Sequence, residues 1–188
     1  MDECPKQLIE ETRPPIASEP GKAERFDTEY VRNGICNLFM FVAPLLGWRR
    51  VEVTERRTST DLAEQICRLV DEDFWHAEKV ALVMDNPNTH CPASLYKAFA
   101  PEEAKRIWDS LEIHYTPRHG SWLNMAEIEF SVLSKNGLSA RIPSMEQMRR
   151  ETAAWAERRN NEAKRIDWQF TTENARVKLK HLYPRFHI

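Results

Sequence analysis

The sequence has no apolar run near the roughly 18–20 residues needed to cross a bilayer, and nothing shaped like a secretory leader heads it. The expectation is therefore a cytoplasmic protein with no membrane partner. Its four cysteines, Cys4, Cys36, Cys67 and Cys91, form no CxxC pair. That argues against a disulfide framework or a zinc site and for reduced thiols. Internal repeats and low-complexity tracts are also missing, which removes solenoids and disordered arrays. What remains is an ordinary globular composition, 41% hydrophobic and 30% charged over 188 residues, enough for one domain with a sizeable core.

The formal net charge of −2 hides an asymmetry. Residues 135–188 carry twelve Lys/Arg against six Asp/Glu, whereas residues 1–134 carry fifteen against twenty-three. A basic final third suits a polyanionic partner, although a solvated helix face accounts for the same excess.

Periodicity places the elements. Prolines 5, 14, 15 and 20 and weak patterning make the first thirty residues mostly loop. GICNLFMFVAP (34–44) and WRRVEVT (48–54) read as a hairpin turning at Leu46-Gly47, the first strand being apolar enough to be covered on both faces. Helical spacing follows over 58–74, then a buried strand over 79–85, helical pieces near 93–99 and 101–110, and a strand over 111–117. Helices are expected again over 122–133, over 144–165 with Met145, Met148, Thr152 and Trp155 on one stripe, and over 172–182. Alternating strands and helices of this kind imply an α/β sheet with helical covers.

Three acids stand out by context: Asp2 before a proline-bearing stretch, Asp85 at the tip of the strand VALVM, and Glu127 in the first turns of a helix. Ligand sites in open α/β sheets form beyond the carboxyl ends of strands, where Asp85 would project. Carboxylates converging there repel one another unless a cation neutralises them, and hard oxygen donors suit Mg²⁺ or Mn²⁺. Each acid also has a plainer reading: a turn or cap for Asp85, a solvated helix position for Glu127, an uninformative chain start for Asp2. Glu129 is a rival to Glu127, but residues two apart on a helix point to nearly opposite faces, so only one of them can line the site.

The stretches DECPKQL, VTERRT, LVMDNPNTH, HYTPRHGSWLNMAEIEFSVL and DWQFTTENARVKLKHLYP, in this order, resemble the catalytic part of bacterial insertion-sequence transposases of the mariner superfamily of DDE transposases. The resemblance runs over essentially the whole chain. It implies a ribonuclease H-like mixed sheet flanked by helices, with C-terminal helices, and two divalent metal ions, Mg²⁺ or Mn²⁺, on an Asp2, Asp85 and Glu127 triad. Glu127 is chosen because the family's acid falls three residues after the asparagine of an L-N motif, here Asn124. The implied activity is metal-dependent DNA strand cleavage and strand transfer on terminal inverted repeats, by a homodimer. Arg56, Arg57, His90, Arg118, His119 and Asn124 become candidate nucleic-acid contacts. The organisation expected is a catalytic domain over 1–140 and a helical extension over 141–188 packed on the same domain.

The resemblance also implies a first strand upstream of Asp2 and a DNA-binding region before it. The first strand is therefore expected to be largely missing and Asp2 to sit on a frayed end. Three explanations compete: a truncated copy, a downstream half whose upstream half is separately encoded, and a misassigned start. The alternative function that follows is an inactive remnant that binds nucleic acid or a partner transposase chain, so enzymatic activity is left open.

Overall fold

The computed structural model describes residues 1–85, 93–117 and 120–180. Strands β1 (Asp2–Glu11), β2 (Tyr30–Ala43) and β3 (Trp48–Thr54) form an antiparallel sheet in that order. Helix α1 (Ser59–Arg68) follows and passes into a π-helical turn over Leu69–Asp73. Strand β4 (Val80–Met84) pairs in parallel with β5 (Leu111–Tyr115), and α2 (Ala93–Ala98) and α3 (Pro101–Asp109) cross between them. A 3₁₀ turn at Ser121–Leu123 leads into α4 (Met125–Asn136), followed by α5 (Met145–Asn161) and α6 (Thr172–Lys178). This is a mixed α/β fold with antiparallel and parallel sheets flanked by helices, consistent with a ribonuclease H-like arrangement. Among the described residues, no helix is long and apolar enough to cross a membrane.

Strand β2 explains the layering. Alternate side chains of a strand point to opposite faces. Phe39 and Phe41 enter a core with α1, β4 and α3, built on Leu62, Ile66, Leu82 and Ile107. Leu38 and Met40 enter a second core with α4 and α5, built on Phe130, Leu133, Met148 and Trp155. Both faces of β2 are thus covered, as its near-continuous apolar run requires. The stripe on α5 is buried as its spacing demands, with Met148, Thr152, Trp155 and Ala156 inward. Helix α5 belongs to a core that also takes in β1, β2, β3 and α4. At the β2–β3 turn Gly47 adopts φ +66°, and a Cβ there would stand 2.5 Å from the Ala163 backbone, so the position requires glycine.

Three expectations are corrected. Residues 2–11 form a ten-residue strand rather than loop. Pro5 is admitted because β1 is the edge of its sheet, where a missing N–H is tolerated. Strand β2 starts at Tyr30, four residues earlier than its apolar pattern, because its exposed first residues pair with Ile9–Glu11. The third concerns the expected fraying at Asp2. Met1 is buried, and its ammonium donates to the Val83 carbonyl at 2.6 Å.

Candidate active site

Three elements deliver the three acids. Asp2 opens β1, opposite Met40 of β2. Asp85 directly follows β4, so the buried strand end carrying Leu82 and Met84 fixes where it emerges. Glu127 lies in the first turn of α4, where the helix dipole favours a negative charge.

Asn124 ties two of these elements together. As N-cap of α4 it accepts from the Ala126 amide through Oδ1 at 3.2 Å, while its Nδ2 donates to the Met1 carbonyl at 2.7 Å. The start of α4 and the start of β1 are therefore fixed to one another by a side chain that is 3% exposed. This residue, a candidate nucleic-acid contact from sequence, has both polar groups engaged inside the fold and acts as a positioning residue. Its signal was legible: an asparagine immediately before a helical pattern is a favoured cap.

Asp2 lies within the electrostatic reach of the other two acids. The carboxyl of Asp2 is pushed up to about 6, first by burial and then by the negative charges of Asp85 and Glu127. The Glu3 amide, which donates to Oδ1 at 2.8 Å, and the Met1 ammonium oppose that rise. The Met1 amine is itself lowered to about 6 by burial, against the pull of Asp2 and Asp85. The site is a half-buried anionic centre in which the charges of Asp85 and Glu127 hinder the ionisation of Asp2. A divalent cation relieves such crowding, and an all-carboxylate oxygen set fits Mg²⁺ or Mn²⁺ in donor type, although the three carboxylates are not among the described residues whose ligand atoms gather within 4.8 Å of one another.

Glu129 has a different fate. Its side chain is 1% exposed and lies 3.3 Å from Nε of Arg49, which is itself fully buried. Arg159 adds a two-point contact, Nη2 to Oε1 at 2.8 Å and Nε to Oε2 at 3.1 Å. Arg49 also donates to the Gly47 and Lys164 carbonyls. Asn160 brackets the Arg49 backbone through both of its amide groups at 2.8 Å. Glu129 is thus the buried counter-ion that joins β3, α4 and α5. Sequence periodicity leaves room for only one of the two acids at the site, and Glu129 is the one buried against two arginines.

Of the remaining candidates, Arg56 and Arg57 are exposed beyond the end of β3, whose last residue, Thr54, is level with Asn37 and Pro5. They stand further along the sheet than the Asp2–Met40 level, and the structure does not bring them to the carboxylates. His90, Arg118 and His119 lie outside the described residues. Cys67, Asp71 and Glu103 also cluster, but Arg106 already neutralises both carboxylates at 2.6–3.0 Å. Burial and Asp71 push the Cys67 thiol up to about 11, so this group is an ion-paired staple between the π turn and α3.

A family model described as DDE superfamily endonuclease matches residues 1–149. No curated protein and no solved structure matches the chain.

Proposed function

Because the chain belongs to the DDE superfamily endonucleases, we propose that Asp2, Asp85 and Glu127 form the catalytic centre of a transposase that cuts and joins DNA at terminal inverted repeats. The observation that supports this reading is that Asp2, at the start of β1, feels the charges of Asp85 after β4 and Glu127 on α4. Two divalent ions, Mg²⁺ or Mn²⁺, held by these carboxylates would supply activation of a water or a DNA 3′-hydroxyl and stabilisation of the leaving oxygen. The chain's own contribution is placement. The end of β4 carries Asp85, the first turn of α4 presents Glu127, and the start of β1 is tied to α4 through Asn124 and to β4 through the Met1–Val83 bond.

Exposed arginines supply the sequence-independent grip on phosphates. Arg56 and Arg57 fit this role, and the basic final third of the chain extends it. On this reading the acting form is a homodimer in a bacterial cytoplasm.

The test is nicking of a supercoiled plasmid and cleavage of a labelled inverted-repeat end in Mg²⁺ or Mn²⁺. Asp85→Asn and Glu127→Gln each lose at least about a hundredfold in rate while remaining folded, in line with losing a positioned charge at the reaction centre. Cleavage that survives both substitutions overturns the assignment.

A second reading, binding of nucleic acid or of a partner chain without turnover, is favoured by one observation. Strands β1 and β4 belong to separate sheets, which meet through the Met1–Val83 hydrogen bond. Salt-sensitive DNA binding with no strand cleavage under any divalent ion is its signature.

A further inference from the structure

Helix α6 buries none of its seven residues, so no apolar face of its own holds it to the body of the protein. A helix that short is marginal by itself. Two anchors on the segment around it set its position.

The first anchor lies just past α5. Ala163 turns the chain with a positive φ of 46°. The buried Arg49 guanidinium then donates to the Lys164 carbonyl, and the Ile166 amide donates to the Pro44 carbonyl at 3.4 Å. The second anchor is aromatic. Phe170 stands edge-on to Trp122, with ring centres 5.0 Å apart at 81°, and Trp168 meets Phe170 in the same manner at 6.2 Å. The Lys178 ammonium, in the last turn of α6, lies 4.4 Å from the centre of the Trp122 ring. Edge-to-face rings and a cation over a ring are both favoured by the ring quadrupole. Leu179 closes the segment and is 7% exposed. Residues 164–179 therefore form a strap, tied at one end beside the β2–β3 turn and at the other to Trp122. The strap lies beyond residues 1–149, the part of the chain that the family model matches.

Trp122 sits in the 3₁₀ turn Ser121–Leu123, two residues before the N-cap of α4. The Leu123 amide closes that turn on the Gly120 carbonyl at 2.9 Å. Side-chain packing just ahead of a cap fixes the angle at which the chain enters a helix. The cap, Asn124, holds the Met1 carbonyl through its side chain, and its own carbonyl accepts from the Glu127 amide at 3.1 Å. A displacement of Trp122 is thus passed to the first turn of α4 and to the start of β1.

We propose that the strap is a positioning element of the carboxylate site: Phe170, Trp168 and Lys178 hold Trp122, and Trp122 sets the entry of α4 that places Asn124 and Glu127. Trp122 and Phe170 are positioning residues that act through Asn124. The consequence for metal binding rests on the catalytic reading, whereas the coupling between strap and α4 does not.

The experiment compares amide hydrogen exchange and Mn²⁺ affinity, the latter by isothermal titration calorimetry, in the full-length parent, Phe170→Ala, Trp122→Ala and the conservative Trp122→Phe. In Phe170→Ala the Ala126 and Glu127 amides should exchange at least about tenfold faster while the α5 amides keep their parent rates. Mn²⁺ should bind about tenfold more weakly to Phe170→Ala and Trp122→Ala, the loss expected when support behind a metal ligand is removed. Trp122→Phe should return both readouts toward the parent. Lys178→Ala, at an exposed position that leaves the fold intact, should shift both in the same direction as Phe170→Ala. Unchanged exchange at Ala126 and Glu127 in Phe170→Ala overturns the proposal whatever the metal does. So does faster exchange with Mn²⁺ affinity equal to the parent, because the strap is then a fastening for α6 alone. A parent chain that binds no Mn²⁺, or binds it no better than Asp85→Asn does, overturns the catalytic reading and the strap's consequence at the site together. Intact coupling in the exchange rates marks that case apart from a failure of the strap.

Discussion

Replacing Glu129 by glutamine keeps the shape of the side chain and removes its charge, leaving the fully buried Arg49 guanidinium without its counter-ion. Burial already pulls Arg49 below its ordinary value and the charge of Glu129 pushes it back, so the acid is what makes the arginine tolerable there. Breaking a buried pair from one side costs about 3–5 kcal/mol, because an uncompensated charge stays behind. Arg159, which is 18% exposed, turns toward solvent and recovers little of that loss. Glu127→Gln, two positions earlier, forfeits a helix-dipole contact of about 0.3–1 kcal/mol and relieves the repulsion at Asp2, so the net change stays within about 1 kcal/mol. Urea unfolding followed by circular dichroism at constant m-value measures both. The chemistry runs the other way. Glu127→Gln abolishes metal-dependent nicking, whereas Glu129→Gln nicks at a temperature where it is folded. The reasoning is refuted if Glu129→Gln unfolds within about 1 kcal/mol of the parent, or if the folded Glu129→Gln chain is inactive while Glu127→Gln still cuts.

Two further outcomes follow from the same site. Asp2 holds its proton more tightly in the folded chain, at about 6 against an ordinary 3.8, so the stability it contributes is present at low pH and is lost as pH rises through 6. In metal-free buffer Asp2→Asn should therefore be the more stable form at pH 7.5, by about 1–2 kcal/mol after allowing for partial exposure, with the advantage vanishing below about pH 4. A difference that does not vary with pH sinks this account. Asn124→Ala removes a helix cap and leaves the Met1 carbonyl without its donor, a loss of about 2–3 kcal/mol. It should also slow nicking further than the stability loss explains, and an activity unchanged at saturating metal would remove Asn124 from its positioning role.

Much of this architecture is written locally. The apolar run of β2, the short strand ending at Asp85, the proline at the first position of α3 and the stripe of α5 each follow from residue type and spacing within a single element. The order of motifs was enough to indicate a DDE-type catalytic domain and a ribonuclease H-like sheet. Strand β1 was not legible, because an edge strand tolerates a proline and here only Leu8 of its ten residues is fully buried, leaving no alternation to read.

The sequence by itself determined that an acid stands at the tip of a core strand and that either Glu127 or Glu129, never both, can face it. Those are consequences of chain periodicity, which acts over a few residues. Only the tertiary structure decided that Glu129 is the buried partner of Arg49 and Arg159, that Asn124 spends both polar groups inside the fold, and that Asp2 feels Asp85 and Glu127. The physical reason is range. Burial and Coulomb energies depend on which groups meet in space, and here the groups that meet lie from 30 to more than 120 positions apart along the chain.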